Sequence, residues 1–513
     1  MRIAVISDTH LPAVANSVQE ASLHWAVDHV IQHGADLLIS AGDLTASGDL
    51  NAAHRALAEL KRAGIPFRGT VGNAEWREPA TAKASIAALT QSDMFKNEQC
   101  AVILIDTSTT HIDMQERRRV QKEVEQLSGQ TILLITHMPP RTIAEDSRAW
   151  LESSIAKWPI DLMVCGHGHR YLEFEFGGKP ARMVCGLDPE KAYEGPPAIS
   201  WLIRESDGWR HEQVPFPGAL LDDWTTSQRN EMSDLLGVSC VEADQTLEHL
   251  ERLIELDVEC VELRAEALHL PGLDQLVSKW RGNDERVLSV HLPNIYWNDG
   301  QQSKAEKDIW ETAYNAANDL DAAQMTLHPP RLAMDVYQND PSVLERLADR
   351  VLPYLQKTTA PIAVENLHMS PQHTPDQREF ACLPDEVLAW RDALRQRLGT
   401  QRVGNLLDLG HARANGIYSS TVSLGHWFAT LGQDIIGYHL HQLDPDTKIK
   451  RCHFPITGIY GPGIAYGAFF WARSTGQIAR KPIFLEVRGE EDRLRSLALL
   501  RDVLAQNPTQ SLA

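Results

Sequence analysis

The chain has no apolar run approaching the roughly 20 residues that span a bilayer, so a membrane partner is excluded. It has no C-x-x-C pair, and its seven cysteines, at 100, 165, 185, 240, 260, 382 and 452, are odd in number and scattered. That argues against a disulfide framework and a cysteine-rich zinc site, and fits a reducing cytoplasm. Glycine and proline are not enriched, and no low-complexity tract stands out, which excludes fibrous and disordered classes. A basic excess is also missing. The net charge is −20 and both halves of the chain are acidic, which disfavours a general nucleic-acid binder. A metal-filled cleft can still attract phosphate behind an acidic surface. The opening Met1-Arg-Ile-Ala-Val-Ile-Ser-Asp8 turns polar too soon for a signal peptide and reads as a first strand.

What is present is two α/β alternations. A length of 513 residues is too great for one ordinary core. Strand candidates at Arg2–Ser7, Asp36–Ala41, Pro66–Val71, Ala101–Asp106, Thr131–Thr136 and Asp161–Cys165 each end in a polar or Gly-rich turn. Two more, around Arg182–Cys185 and Ala198–Arg204, close a domain at residues 1–215. The Pro- and Gly-bearing stretch 216–230 reads as a linker, and 506–513 as a frayed tail. Between them, residues 231–505 hold eight further strand candidates separated mostly by helical patterns such as Thr246–Leu256 and Ser342–Gln356. Eight βα units in this length are what a TIM barrel requires. These strand candidates are Leu235–Cys240, Cys260–Arg264, Val287–His291, Gln324–His328, Ile362–Glu365, Asn405–Asp408, Ile436–His441 and Ile483–Val487.

In the first domain five motifs fall in order, each just after a strand candidate: Asp8-Thr-His10, Gly42-Asp43, Gly72-Asn73-Ala74-Glu75, His137 in Thr-His-Met-Pro-Pro, and Gly166-His167-Gly168-His169. Carboxylate, imidazole and amide oxygen are the donors a divalent metal of hard or borderline character takes. Two such ions a few ångströms apart also need a shared carboxylate. A lone G-D or H-x-H is usually a turn or a surface feature. Five in order at strand ends are not.

The series resembles the calcineurin-like metallophosphoesterases, whose pattern is D-x-H, G-D, G-N-H-[DE], H and G-H-x-H. The resemblance implies a β-sandwich flanked by helices. Asp8, His10 and His169 then hold one divalent metal and Asn73, His137 and His167 a second, with Asp43 bridging; Mn, Fe or Zn are the expected ions. It further implies hydrolysis of a phosphate ester, with Asp43, Asn73 and His137 at the reacting centre. One position departs: the family's His after Asn is Ala74 here. That His lies on the leaving-group side, where a general acid is typically worth ~10²–10⁴-fold. An activated ester or a phosphodiester is therefore the expected substrate.

The second half also carries acids and imidazoles at strand ends: Glu262, His291, His328, Glu365, Asp408, His411, His439, His441, His453 and Glu486. In a TIM barrel the C-terminal strand ends form the active-site mouth, and this donor set is a metal site of the N/O type. The half resembles the xylose-isomerase-like barrels, which include sugar isomerases and epimerases and also endonuclease IV. The epimerase pattern places one metal on Glu365, Asp408, His439 and Glu486, with the two glutamates as acid and base and His411 at the substrate. The endonuclease pattern holds three zinc ions and adds His291, His328, His411 and His453. Its Asp two residues before the last His is Arg451 here, where a cation could instead grip a substrate phosphate or carboxylate. One to three divalent ions, Mn or Zn, are thus implied for the barrel.

Three functions compete at this point. One is a bifunctional enzyme of small phosphorylated or sugar-like molecules, which the acidic surface favours. The second is a DNA- or RNA-processing phosphodiesterase. The third has one domain retained as a scaffold, for which Ala74 and Arg451 speak.

Overall fold

The computed structural model describes residues 1–90, 94–127, 130–206, 208–219, 224–282, 286–296, 304–370, 372–444, 452–461 and 463–505. It divides into two compact units, Met1–Leu220 with Ala465–Trp471, and Leu221–Ile464 with Ala472–Ala513. No described helix is long and apolar enough to cross a membrane.

The strands of the first unit are β1 (Arg2–Ile6), β2 (Leu37–Ser40), β3 (Phe67–Gly69), β4 (Phe95–Lys96), β5 (Ala101–Ile105), β6 (Ile132–Thr136), β7 (Ile160–Cys165), β8 (Leu172–Phe176), β9 (Lys179–Met183), β10 (Ala198–Glu205) and β11 (Gly208–Pro215). They form two sheets, ordered β11-β10-β1-β2-β3 and β4-β5-β6-β7-β9-β8. Strand alternation sorts their apolar residues into layers. Ile3, Val5, Leu37 and Ile39 of one sheet meet Val102, Leu104, Leu133, Ile135, Leu162 and Val164 of the other in one buried cluster. The intervening Ala4, Ile6 and Leu38 pack instead with Leu23, Val27, Val30, Ala52, Ala56 and Leu60 of helices Val18–His33 and Leu50–Arg62. Ile103, Ile105, Ile132 and Leu134 do the same with Val120, Leu151 and Ile155 of helices Met114–Glu125 and Glu145–Ile155. Two sheets face to face with helices outside are the expected sandwich. Burial on both faces is why these strands read as continuous apolar runs.

The hairpin β8–β9 and the strand β11 escape that signal. Leu-Glu-Phe-Glu-Phe of β8 is exposed or half-buried throughout, and β9 ends at Met183, short of the expected Arg182–Cys185. The turn itself is legible: Gly177 and Gly178 both take positive φ, 59° and 70°, as a tight two-residue hairpin turn demands.

In the second unit β12 (Leu236–Cys240), β13 (Cys260–Arg264), β14 (Val287–His291), β15 (Gln324–Leu327), β16 (Ile362–Glu365), β17 (Val403–Asp408), β18 (Ile435–Leu440) and β19 (Ile483–Leu485) close in sequence order into a parallel barrel. β12 pairs with β19 to complete it. Each barrel strand is built where its apolar run occurs. A helix, Thr226–Asp234, starts inside the stretch 216–230. Its Thr225 Oγ1 accepts from Gln228 N at 3.2 Å while Gln228 Oε1 accepts from Thr225 N at 2.9 Å, a capping box that fixes the helix start.

Candidate metal centres

The first-unit motifs all leave the same ends of parallel strands, so residues far apart in sequence converge. Asp8 and His10 follow β1, Asp43 follows β2, Asn73 follows β3, His137 follows β6, and His167 and His169 follow β7. The loops are strained to aim these side chains. Asp8, His10, Asp43, His167 and His169 all hold positive φ, between 47° and 70°. Such a conformation costs a non-glycine residue on the order of 1 kcal/mol, and it clusters at functional sites.

Two groups of ligand atoms result, Asp8–His10–His169 and Asp43–His137–His167. In the first, Asp8 Oδ1 lies 4.0 Å from His10 Nε2 and 3.7 Å from His169 Nε2, and the two imidazole nitrogens are 3.4 Å apart. In the second, His137 Nε2 lies 3.4 Å from Asp43 Oδ1 and 3.0 Å from Asn73 Oδ1. Asp43 touches both groups, since its Oδ2 lies 3.6 Å from His10 Nε2.

Surrounding hydrogen bonds hold the donors in place. Ser7 Oγ and the His167 backbone N donate to Asp8 Oδ2 at 2.6 and 2.8 Å, and Ala74 N donates to Asp43 Oδ1 at 2.7 Å. Ala74 is itself fully buried, so the position that departs from the family pattern still tethers the bridging carboxylate through its backbone. Glu75 accepts from Thr45 N at 2.8 Å and Gly72 N at 2.9 Å, tying the loops after β2 and β3 together. Gly72 permits the approach: a Cβ there would stand 2.0 Å from Asp43 Oδ1.

These contacts fit a pair of cations. Asp8 Oδ1 is buried and has no hydrogen-bond donor. Nδ1–H of His137 donates to the Ala41 carbonyl at 2.9 Å, which turns an Nε2 lone pair toward the Asn73 side-chain oxygen. The excess of oxygen donors shows in His137: against burial, Asp43 and Asp8 raise it above the ordinary imidazole range. Burial opposes ionisation of Asp8, but His169, His137, the Ser7 hydroxyl and His167 outweigh it and hold the carboxyl below its ordinary range. Burial also drives His169 down to about 4, keeping that ring neutral and its lone pair free.

In the barrel, Glu365 at the end of β16 is the hub. Its Oε2 lies 3.2 Å from His291 Nε2 and 3.0 Å from His328 Nε2; its Oε1 lies 3.2 Å from His439 Nδ1 and 3.3 Å from His411 Nδ1. His291 Nδ1 faces the Leu292 carbonyl at 3.1 Å and His328 Nδ1 faces the Asn294 side-chain oxygen, so on both rings Nε2 is the nitrogen turned to the Glu365 carboxylate. His439 Nδ1 stands 3.1 Å from Glu486 Oε2 and 3.8 Å from Asp408 Oδ2. His411, His441 and His453 form a further group of potential ligand atoms. Arg451 lies outside the described residues.

The charges in this cluster balance through protons. Burial works against a charge on His411, but Asp408 and Glu365 raise it to about 9. His439 rises well above its ordinary value against the same burial, because Glu262, Glu365 and Glu486 surround it. His328 goes the other way: burial outweighs Glu365 and brings it to about 4. A guanidinium also enters: Arg264 is ion-paired to Glu486.

Glu262 stands apart from the other strand-end acids, because it sits inside β13 rather than at its end. The structure buries it completely inside the barrel against His439. The signal was an acid in the middle of an apolar strand, Cys-Val-Glu-Leu-Arg. His368 stacks on His411 with ring centroids 4.8 Å apart.

Residues 1–171 match the sequence model of the family described as calcineurin-like phosphoesterase. No curated protein matches the chain significantly. Among solved structures, it is similar to a dimetal phosphatase from Danio rerio, at 12% identity over 42% of this chain and 99% of that one, with a TM-score of 0.34. It is also similar to endonuclease IV from Thermus thermophilus, at 14% identity over 52% and 98%, TM-score 0.35. A third is a xylose isomerase domain protein from Alicyclobacillus acidocaldarius, at 15% identity over 53% and 98%, TM-score 0.37. With the motif order, the sandwich and the paired ligand groups in place, the N-terminal part of the chain, residues 1–171, is a calcineurin-like phosphoesterase domain.

Proposed function

We propose that residues 1–215 form a two-metal phosphodiesterase of small molecules, and that residues 231–505 form a second, metal-dependent enzyme acting on a sugar-like partner of the same substrate. The observation that carries the first half is Asp43, whose two oxygens approach His137 of one ligand group and His10 of the other at 3.4 and 3.6 Å. When bound, a metal pair (Mn, Fe or Zn) supplies an activated water and positive charge against the phosphoryl oxygens. Asp8, His10 and His169 would hold one ion; Asn73, His137 and His167 the other; Asp43 both. The Ala41 carbonyl fixes the His137 tautomer, and Ala74 N orients Asp43. With no imidazole at position 74, the leaving group must depart without a proton from that side, which favours diesters and activated esters. The test is turnover of bis-p-nitrophenyl phosphate with Mn²⁺ by the full chain, abolished in Asp43→Asn. Absence of metal-dependent turnover of any phosphate ester would overturn the reading.

For the barrel, Glu365, Asp408, His439 and Glu486 would hold one divalent ion, Mn or Zn. Both glutamates are held well below their ordinary range, Glu365 against burial by His439 and His328, Glu486 against burial by His453 and Arg264. Each is therefore ionised, as a carboxylate ligand of a divalent ion must be, and two glutamates on one ion are the acid and base pair that an isomerase or epimerase requires beside a substrate carbonyl. A second reading, cleavage of a nucleic-acid phosphodiester, is favoured by one observation: Glu365 Oε2 faces His291 and His328 as well, which gives the barrel room for more than one ion. A labelled abasic-site duplex separates the two. Cleavage that depends on Glu365 or Glu486 would select the second reading; aldose–ketose or epimer interconversion would select the first.

A further inference from the structure

His439 is wholly buried and is contacted on both nitrogens. Its Nε2 lies 2.8 Å from Glu262 Oε2. Its Nδ1 faces Glu365 Oε1 at 3.2 Å, Glu486 Oε2 at 3.1 Å and Asp408 Oδ2 at 3.8 Å. Glu262 is not one of those converging oxygens. It belongs to a layer one step deeper in the barrel, across from Ser289 in the β13–β14 register. Its other oxygen, Oε1, accepts from Thr326 Oγ1 at 2.6 Å and Ser289 Oγ at 3.0 Å. Two hydroxyls thus lock the carboxylate, and the locked carboxylate takes the Nε2 proton of the ring.

We propose that Glu262 is the positioning residue of the barrel's metal centre: it fixes His439 as the Nε2–H tautomer, so that Nδ1 is the nitrogen offered to a divalent cation among Glu365, Asp408 and Glu486. The inference rests on the barrel being a metal centre. A carboxylate accepting the far N–H of a ligating imidazole sets its orientation and raises its basicity, and loss of such a partner costs 10–100-fold in metal affinity. Without Glu262, nothing anchors the Nε2 side of the ring, and the imidazole can turn or tautomerise so that Nδ1 is no longer presented among the three carboxylates.

The test uses the full chain carrying Asp8→Asn and Asp43→Asn, so that remaining tight zinc binding reports the barrel. Zinc affinity is measured by competition with a chromophoric chelator, and folding of the metal-free protein by its thermal melt. Glu262→Gln is expected to weaken zinc by about 10–100-fold. Glu262→Asp keeps the charge but cannot span the 2.8 Å contact, and is expected to weaken zinc equally. It carries the test if the Gln variant melts early. Ser289→Ala touches only Oε1 and should change affinity far less. A folded Glu262 variant that binds zinc as tightly as its parent overturns the positioning role and leaves the metal centre standing. A parent that binds no zinc overturns the metal centre itself.

Discussion

Nε2 of His137 faces the side-chain oxygen of Asn73 at 3.0 Å, while the opposite ring nitrogen is engaged by the Ala41 carbonyl at 2.9 Å. An imidazole lone pair and an amide oxygen at hydrogen-bond distance repel unless a cation or a second proton lies between them. The same opposition recurs at His328 and Glu365, 3.0 Å apart. Both units are therefore organised around positions where positive charge must enter.

Removing the bridge should disable the first site without unfolding the unit. Asp43→Asn keeps the shape and can still accept from Ala74 N, but it loses the charge that both ligand groups share. Metal stabilisation of developing charge is worth several kcal/mol. The expected loss of kcat/KM on bis-p-nitrophenyl phosphate is on the order of a thousandfold or more. The melting temperature of the metal-free protein should stay within a few degrees of wild type; a collapse would assign Asp43 a structural role instead.

Gly72→Ala tests the loop geometry. The added Cβ would stand 2.0 Å from Asp43 Oδ1, so the loop or the carboxylate must move. Overpacking of this kind costs about 1–3 kcal/mol, and the displaced carboxylate should lose metal as well. Unchanged Mn²⁺ affinity in this variant would mean that Asp43 is not held by the approach of this glycine.

Asp188 offers a pH test outside the ligand set. Burial, joined by Glu190 and opposed by Lys191, raises its carboxyl to about 7. Between its ordinary value and about 7 the folded state then binds more protons than the unfolded state, so this group makes stability fall as pH rises. Asp188→Asn should remove that slope and stabilise the metal-free protein at pH 8 by on the order of 1–3 kcal/mol. The difference between wild-type and variant denaturation curves, taken from pH 4 to pH 8, isolates it from the neighbouring histidines. A difference that does not grow toward pH 8 contradicts the raised carboxyl.

Metal binding by the barrel should release protons. His411 is raised to about 9 against burial by Asp408 and Glu365, so at pH 7 the metal-free ring is charged and a ligating ring must be neutral. Affinity should accordingly climb with pH up to about 9 and level off above it. Calorimetry in buffers of different ionisation enthalpy measures the release directly. No proton release at pH 7 would place His411 outside the metal centre.

Glu365→Gln should be more damaging than loss of any single barrel imidazole, because its two oxygens face His291 and His328 on one side and His439 and His411 on the other. Zinc content of the purified protein should drop by at least one equivalent per chain. An unaltered zinc content would remove Glu365 from the centre.

Most of the strands are legible in the sequence. Buried strands such as Ala101–Ile105 and Ile132–Thr136 are continuous apolar runs because helices or sheets cover both faces, and such runs stand out without any contact information. The sequence also marks the residues that converge at the first candidate site, since Asp8, His10, Asp43, Asn73, His137, His167 and His169 follow strands in one order. Strand Leu172–Phe176 went unmarked because an exposed edge alternates Glu with Phe and buries little, and its partner Lys179–Met183 was marked only at its end, around Arg182–Cys185. Only the folded structure shows which oxygen of Asp43 or Glu365 meets which ring, and that Glu262 contacts His439. Those outcomes depend on ring tautomers and on side chains from strands as distant as β13 and β18, where Glu262 and His439 are brought within 2.8 Å by closure of the barrel. Distance along the chain carries no information about that closure. The opposed lone pairs at His137 and Asn73 are the clearest case: the sequence supplies both residues, and only the folded sandwich sets them face to face.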